Sequence, residues 1–204
     1  MPFVLGIFLA AVAATLPAAE PDDAGRPTMR SLGGSDGPPS RRELVDARRE
    51  LKTRFREPLA HTETAAGAMR AAETLFTASV DEQDRVLKWL MLDEARRLAL
   101  AAGDAEAVNR AITLASAVYE FDALETELRS LADIPLRGID PGRAIRLAQV
   151  AETLSMRAET DGRTALAVSA QSLAIRAWQR VGDMPNARRA TGRLDELEAG
   201  LQPR

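Results

Sequence analysis

The chain has 204 residues, of which 46% are hydrophobic, only 4% are aromatic and about a fifth are Ala. Ala costs least in a helix and lets helix axes approach closely, while the β-branched and aromatic residues of a sheet are sparse, so an all-α protein is predicted. With 27 basic and 30 acidic residues the net charge is −3, which argues against nucleic acid as the main partner, and the absence of Cys excludes disulfides, thiolate metal sites and a thiol nucleophile.

Residues 2–16 (PFVLGIFLAAVAATL) are uncharged and apolar, and Pro17, Ala18 and Ala19 separate them from Glu20. A short apolar core followed by small residues reads as a secretory signal peptide over residues 1–19, implying export to the periplasm or cell envelope. No Lys or Arg precedes the run. An uncleaved N-terminal anchor is the rival reading, although the run falls short of the roughly 20 residues a helical span needs. Residues 20–39 hold Pro21, Pro27, Pro38 and Pro39 with Gly25, Gly33, Gly34 and Gly37, show no hydrophobic periodicity, and read as a disordered Pro/Gly linker.

A helical-repeat domain is expected over residues 40–204. Ser40 with Glu43 three residues later fits a capping box, and Leu44, Ala47, Leu51 and Phe55 follow at helical spacing until Pro58. A second helix is predicted from about Thr62 to Ser79, and a third from Asp81 to Gly103, with Val86, Leu87, Leu90, Met91, Ala95, Leu98 and Ala102 inward. Asp104 caps a fourth, whose apolar face runs from Ala107 to Val118 and Tyr119. Asp122 and Glu125 open a fifth that stops near Pro135. Asp140-Pro141, an N-cap followed by Pro at the first helical position, opens a sixth that runs to about Glu159.

The seventh helix, about Arg163 to Val181, has an apolar arc of roughly 220°, about twice what packing against one neighbour needs, so helices are expected on two sides of it. The third is similarly broad. An eighth starts near Pro185 and frays by Gln202. The helices are punctuated by a recurring turn: Gly103-Asp104, Asp161-Gly162 and Gly182-Asp183. The predicted fold is a right-handed stack of about four antiparallel helical hairpins, an α-solenoid of eight helices.

In residues 90–124, a long helix ends in Ala102-Gly103-Asp104 and the next carries small residues at Ala107, Ala111 and Ala115. This stretch resembles tetratricopeptide-type repeats. Through Glu94-Ala95-Arg96, Ala102-Gly103-Asp104, Ala111-Ile112 and Tyr119-Glu120-Phe121-Asp122 it resembles, more closely, an Ala-rich helical segment of uncharacterised planctomycete-type secreted proteins. The resemblance implies an α-solenoid over residues 40–200 and no activity. The tetratricopeptide Trp, Leu-Gly and Tyr positions are missing, and the interval from Gly103 to Gly182 is no multiple of that family's period of about 34 residues.

Candidate chemistry is thin. His61 is the single histidine and lies in the break after Pro58, with no ligand or triad spacing around it, so a turn position is expected. Asp93 and Glu94 point about 100° apart and cannot face each other as an acid–base pair. Glu94 falls inside an apolar arc, where it is expected to pair with an Arg of a neighbouring helix, a functional carboxylate being the alternative. Trp89 and Trp178 are expected in the core rather than in a ligand groove.

The polar strip Ser169, Ser172, Arg176, Gln179 and Arg180 on the seventh helix is the candidate partner-binding wall; an ordinary exposed face reads the same way. The first helix is basic through Arg41, Arg42, Arg48, Arg49, Lys52, Arg54 and Arg56, either as a solvated face or as a docking face for an acidic partner or anionic lipid. No Gly-rich phosphate loop is present, and no cofactor, metal or catalytic residue is expected. The expected function is an exported, non-enzymatic scaffold for a protein partner, touching a membrane only through its N-terminal segment. A structural spacer or remnant of a larger envelope protein is the alternative, and a helical-toroid enzyme using carboxylates a further one.

Overall fold

The structure, a computed structural model, describes residues 37–201. The predicted signal peptide or anchor and most of the predicted linker lie outside the described residues. The described chain is all helical: α1 (Glu43–Arg54), α2 (Arg56–Leu59), α3 (Ala65–Asp81), α4 (Arg85–Ala102), α5 (Ala105–Ser116), α6 (Ala123–Ala132), α7 (Pro141–Thr160), α8 (Thr164–Arg180) and α9 (Met184–Leu201). Nine helices are therefore present among the described residues, where eight were expected. The extra one arises because the first predicted helix breaks at Phe55 (φ −113°, ψ 28°). Pro58 has no N–H to donate to the carbonyl of Arg54, and its ring would clash with that carbonyl in a continuous helix.

Two boundaries move for equally local reasons. The second predicted helix begins at Ala65 rather than Thr62, because the Thr64 side chain accepts from the Gly67 N–H at 3.0 Å and so caps it. The third begins at Arg85 rather than Asp81. α3 runs on through Asp81, Glu82 is extended, and it is Asp84 that accepts from the Leu87 N–H at 2.9 Å. The Ser40–Glu43 box forms, with the Ser40 N–H donating to the Glu43 carboxylate at 2.7 Å. Gly37 is buried, and its carbonyl accepts from Arg85 at 2.9 Å.

The recurring turn has one geometry. Gly103, Gly162 and Gly182 take φ of 69°, 71° and 74°, which only glycine adopts without strain. After each, the next residue's N–H reaches back five positions: Asp104 to the Ala99 carbonyl, Arg163 to that of Ala158, and Asp183 to that of Trp178. Each thus ends its helix in a Schellman-type turn and folds the following helix back along it.

Neighbouring helices pack face to face in sequence. α8 lies against both α7 and α9, and α4 against α1, α3 and α5, as their broad apolar arcs predicted. Fully buried alanines make the approach close: Ala144, Ala148, Ala151 and Ala158 on α7 with Ala167, Ala170, Ala174 and Ala177 on α8. Between them the Ser155 hydroxyl donates to the Ala167 carbonyl at 2.9 Å. Large side chains such as Leu75, Phe76, Met91, Ile112, Leu147, Leu154 and Leu173 fill the rest of the core. Trp89 is also buried, with Tyr119 and Phe121 edge-on to it at centroid distances of 4.9 and 5.7 Å. Burial pushes the Tyr119 hydroxyl up to about 12. Val118, expected inward, is 43% exposed because α5 ends at Ser116 and the chain turns before it.

Polar ties join alternate helices along the stack. Arg110 of α5 meets Glu73 of α3 at 2.8 Å and covers the Phe76 ring. Arg96 of α4 donates to Ser130 of α6 at 3.0 Å. Arg189 and Arg193 of α9 reach Glu152 and Glu159 of α7. The molecule is an α-solenoid in which consecutive helices pack on one another, α7 and α8 through Ala-lined faces, and polar ties join α3 to α5, α4 to α6 and α7 to α9.

Candidate functional site

The residues singled out from the sequence fall in ordinary places. His61 is exposed in the turn before α3, and its part in the fold is played by its backbone carbonyl, which lies against Gly67. Trp89 and Trp178 are buried, and the Trp178 indole N–H donates to Glu152 at 2.9 Å. On α8, Ser169, Arg176, Gln179 and Arg180 are exposed and Ser172 is half-buried. The Ser169 and Ser172 hydroxyls donate to the carbonyls of Ala165 and Val168 on their own helix.

Glu94 does not pair with a neighbouring helix. It pairs with Arg97 on its own helix at 2.5 Å, both side chains partly in solvent. The buried charge of α4 is Arg96 instead, held by Asp93 at 2.8 Å and by Ser130. The reason is tertiary: Arg96 is enclosed on the buried side of α4, where it reaches Ser130 of α6, and Glu94 retains access to water.

Among the described residues the fully buried carboxylate is Glu127, at the centre of α6. Its two oxygens accept from Asn109 of α5 at 2.9 Å and from Arg157 of α7 at 2.7 Å, so it ties three helices together. Thr113 donates to the Asn109 side-chain carbonyl at 3.0 Å and holds that amide in orientation. Burial raises the Glu127 carboxyl above its ordinary range, and Arg157 pulls it part of the way back. Glu127 lies three residues after Leu124 and four before Leu131, so its place inside an apolar arc was legible in the sequence.

A second feature departs from the repeat. Asp104 and Asp183 follow the turn glycines, and each caps the next helix, accepting from the N–H of Ala107 at 3.0 Å and of Asn186 at 3.1 Å. The equivalent residue in the middle turn is Arg163, which makes no capping hydrogen bond. Losing such a cap costs about 1 kcal/mol, and a cation at a helix N-terminus is itself unfavourable. The Arg163 guanidinium instead grips Asp122 through both oxygens, at 2.6 and 2.8 Å.

Asp122 is in turn the N-cap of α6, accepting from the Glu125 N–H at 2.9 Å. The hydrogen bonds from Arg163 hold its carboxyl below the usual range, and Asp122 in return raises Arg163. A local rule broken in favour of a long-range pair marks this corner as the candidate site.

Two open grooves border that pair. One, of about 590 Å³, is lined by Glu125, Leu128, Arg163, Leu166, Ser169 and Leu201, together with Gly162, Thr164 and Ala165. The other, of about 440 Å³, is lined by Phe121, Asp122, Leu124, Arg157, Asp161 and Arg163. Of the strip predicted on α8, Ser169 lines the first of these grooves, and Ser172, Arg176, Gln179 and Arg180 line neither of the two. The corner therefore offers apolar side chains, carboxylates and a guanidinium around an open concavity. The signal in the sequence was the Arg standing where the other two turns have Asp.

Among the described residues no group of three or more His, Cys, Asp or Glu side chains is placed to hold a metal ion, and no helix is long and apolar enough to cross a membrane. Compared with family models, with curated proteins and with solved structures, the chain matches none.

Proposed function

We propose that this chain is an envelope-located helical-repeat scaffold that binds a protein partner through the grooves on either side of Arg163. The observation that carries the reading is the Arg163–Asp122 pair. The middle turn gives up its helix cap to place a guanidinium between two concavities, while the equivalent turns keep their capping Asp. The grooves are open rather than enclosed, which suits a peptide segment better than a small molecule sequestered from water. Apolar positions such as Leu128, Leu166 and Leu201 would take the partner's apolar side chains, and the charged rim would set its register.

The placement at the envelope rests on the apolar residues 2–16. Site-directed photo-crosslinking in cells tests the binding site. A crosslinking side chain at Ser169 or Leu201 is expected to give a discrete adduct, and the same probe at Ser116 on α5 is not. Arg163→Ser keeps a residue able to cap α8 and is expected to abolish the adduct while leaving the fold intact. Identical adducts from all three positions, or one that survives Arg163→Ser, would refute this site and favour a spacer.

A further inference from the structure

α1 carries a charge segregation that the partner-binding grooves do not use. Advancing about 100° per residue, Leu44, Ala47 and Leu51 turn toward the stack, and Leu51 is buried. Arg48, Lys52, Val45, Arg49 and Arg42 then follow within one arc of about 120°, and no carboxylate falls among them. Glu43, Asp46 and Glu50 are confined to the other flank.

All five residues of the basic arc are exposed, Val45 by 56%. Arg49 meets Asp46 only at 3.7 Å, with both side chains almost wholly in solvent, while Arg42, Arg48 and Lys52 make no ion pair with a described residue. Many arginines farther along the stack differ: Arg97, Arg129, Arg157, Arg163 and Arg193 all lie against carboxylates within 3 Å.

We infer that this face of α1 docks on the surface of an anionic phospholipid bilayer. Four cations spaced along a convex helix, with one apolar side chain projecting among them, match the charge of a flat layer of phosphate headgroups. Each such cation near an anionic surface strengthens attachment about fivefold, and the attraction is lost at high salt. The rest of the chain favours a bilayer over an acidic protein. The apolar residues 2–16 precede α1 in the sequence, separated from it by a Pro- and Gly-rich stretch. With residues 2–16 retained as an anchor rather than cleaved as a signal, the apolar segment and the basic patch make a two-signal attachment in which neither signal is strong alone. The basic face also orients the stack, because α1 packs on α4 at the N-terminal end while the Arg163 grooves border α6 and α8.

The test is co-sedimentation of the full chain with phosphatidylcholine vesicles, with and without about one third phosphatidylglycerol. Residues 2–16 are common to every protein compared, so the readout is the excess binding to the anionic vesicles. That excess is expected to fall at least about tenfold in Arg42→Gln/Arg48→Gln/Lys52→Gln, and to vanish in wild type near 1 M salt. It is expected to persist in Arg70→Gln/Arg137→Gln/Arg188→Gln, which removes the same charge from exposed positions elsewhere. Far-UV circular dichroism establishes that both variants are folded. The proposal is overturned if wild type shows no excess, if the α1 variant keeps it, or if both variants lose it equally. Binding of soluble polyglutamate that depends on the three α1 residues, with no vesicle excess, would assign the face to an acidic protein and overturn the lipid proposal.

Discussion

Arg157→Met is expected to destabilise the fold strongly at neutral pH and far less in acid. Glu127 is fully buried, and Arg157 is the cation that compensates it, at 2.7 Å. Removing one partner of a buried pair typically costs about 3–5 kcal/mol, because the remaining charge is left without compensation. The Arg157 side chain is 41% exposed, so solvent already screens part of the interaction and the lower figure, about 3 kcal/mol, applies. For a domain of this size that is a fall of about 6–12 °C in melting temperature.

The pH dependence follows from burial, which raises the Glu127 carboxyl. The folded chain holds this proton to higher pH than the unfolded chain does. The stabilising contribution of Glu127 is therefore complete below the ordinary glutamate range and is lost as pH rises through the raised value. Without Arg157 that value rises further, so the cost of Arg157→Met shrinks as the carboxyl takes up a proton. Glu127→Gln removes the charge and keeps one acceptor oxygen, for Asn109, while its NH2 group takes the place of the oxygen facing Arg157, whose guanidinium can still reach water, so it is expected to cost about 1–2 kcal/mol, less than Arg157→Met. Thermal melts of the three proteins at about pH 5 and pH 8 test this. An equal penalty for Arg157→Met at both pH values, or a Glu127→Gln variant as unstable as Arg157→Met, would show that the buried charge does not control this site.

Gly67→Ala is expected to destabilise by about 1–3 kcal/mol, because its Cβ would lie 1.8 Å from the His61 carbonyl oxygen and the turn before α3 would have to move. Gly192→Ala, in open space on α9, is expected to stabilise by about 0.5–1 kcal/mol. Urea unfolding of the two variants compares them, and a harmless Gly67→Ala would refute the close approach. Leu173 is 2% exposed between α7 and α9, so Leu173→Ala is expected to cost about 2–5 kcal/mol against about 0.5 or less for Gln179→Ala. Equal melting temperatures for that pair would refute the two-sided packing of α8.

Short-range physics made much of the fold legible in the sequence. The turn glycines, the capping Asp104, Asp122 and Asp140, the Ser40–Glu43 box and the broad arcs of α4 and α8 all act within a helix or across a single turn, over three to five residues. The misplaced starts of α3 and α4 have the same origin, since several polar residues beside each start were competent to cap and only the path of the chain chose Thr64 and Asp84. Pro58 announced a break but not that it would fall at Phe55 and leave Pro58 within a separate turn of helix, α2.

Burial and pairing belong to another scale. Glu94 and Glu127 both fall inside apolar arcs of their helices, yet water reaches one and three helices enclose the other. Arg163 and Asp122 are 41 residues apart, and Arg157 and Glu127 are 30 apart. Which carboxylate is enclosed, and which arginine reaches it, depends on which helix covers which face. A single helix's periodicity holds no information about that, so the grooves around Arg163 exist only once α6 and α8 have been brought together.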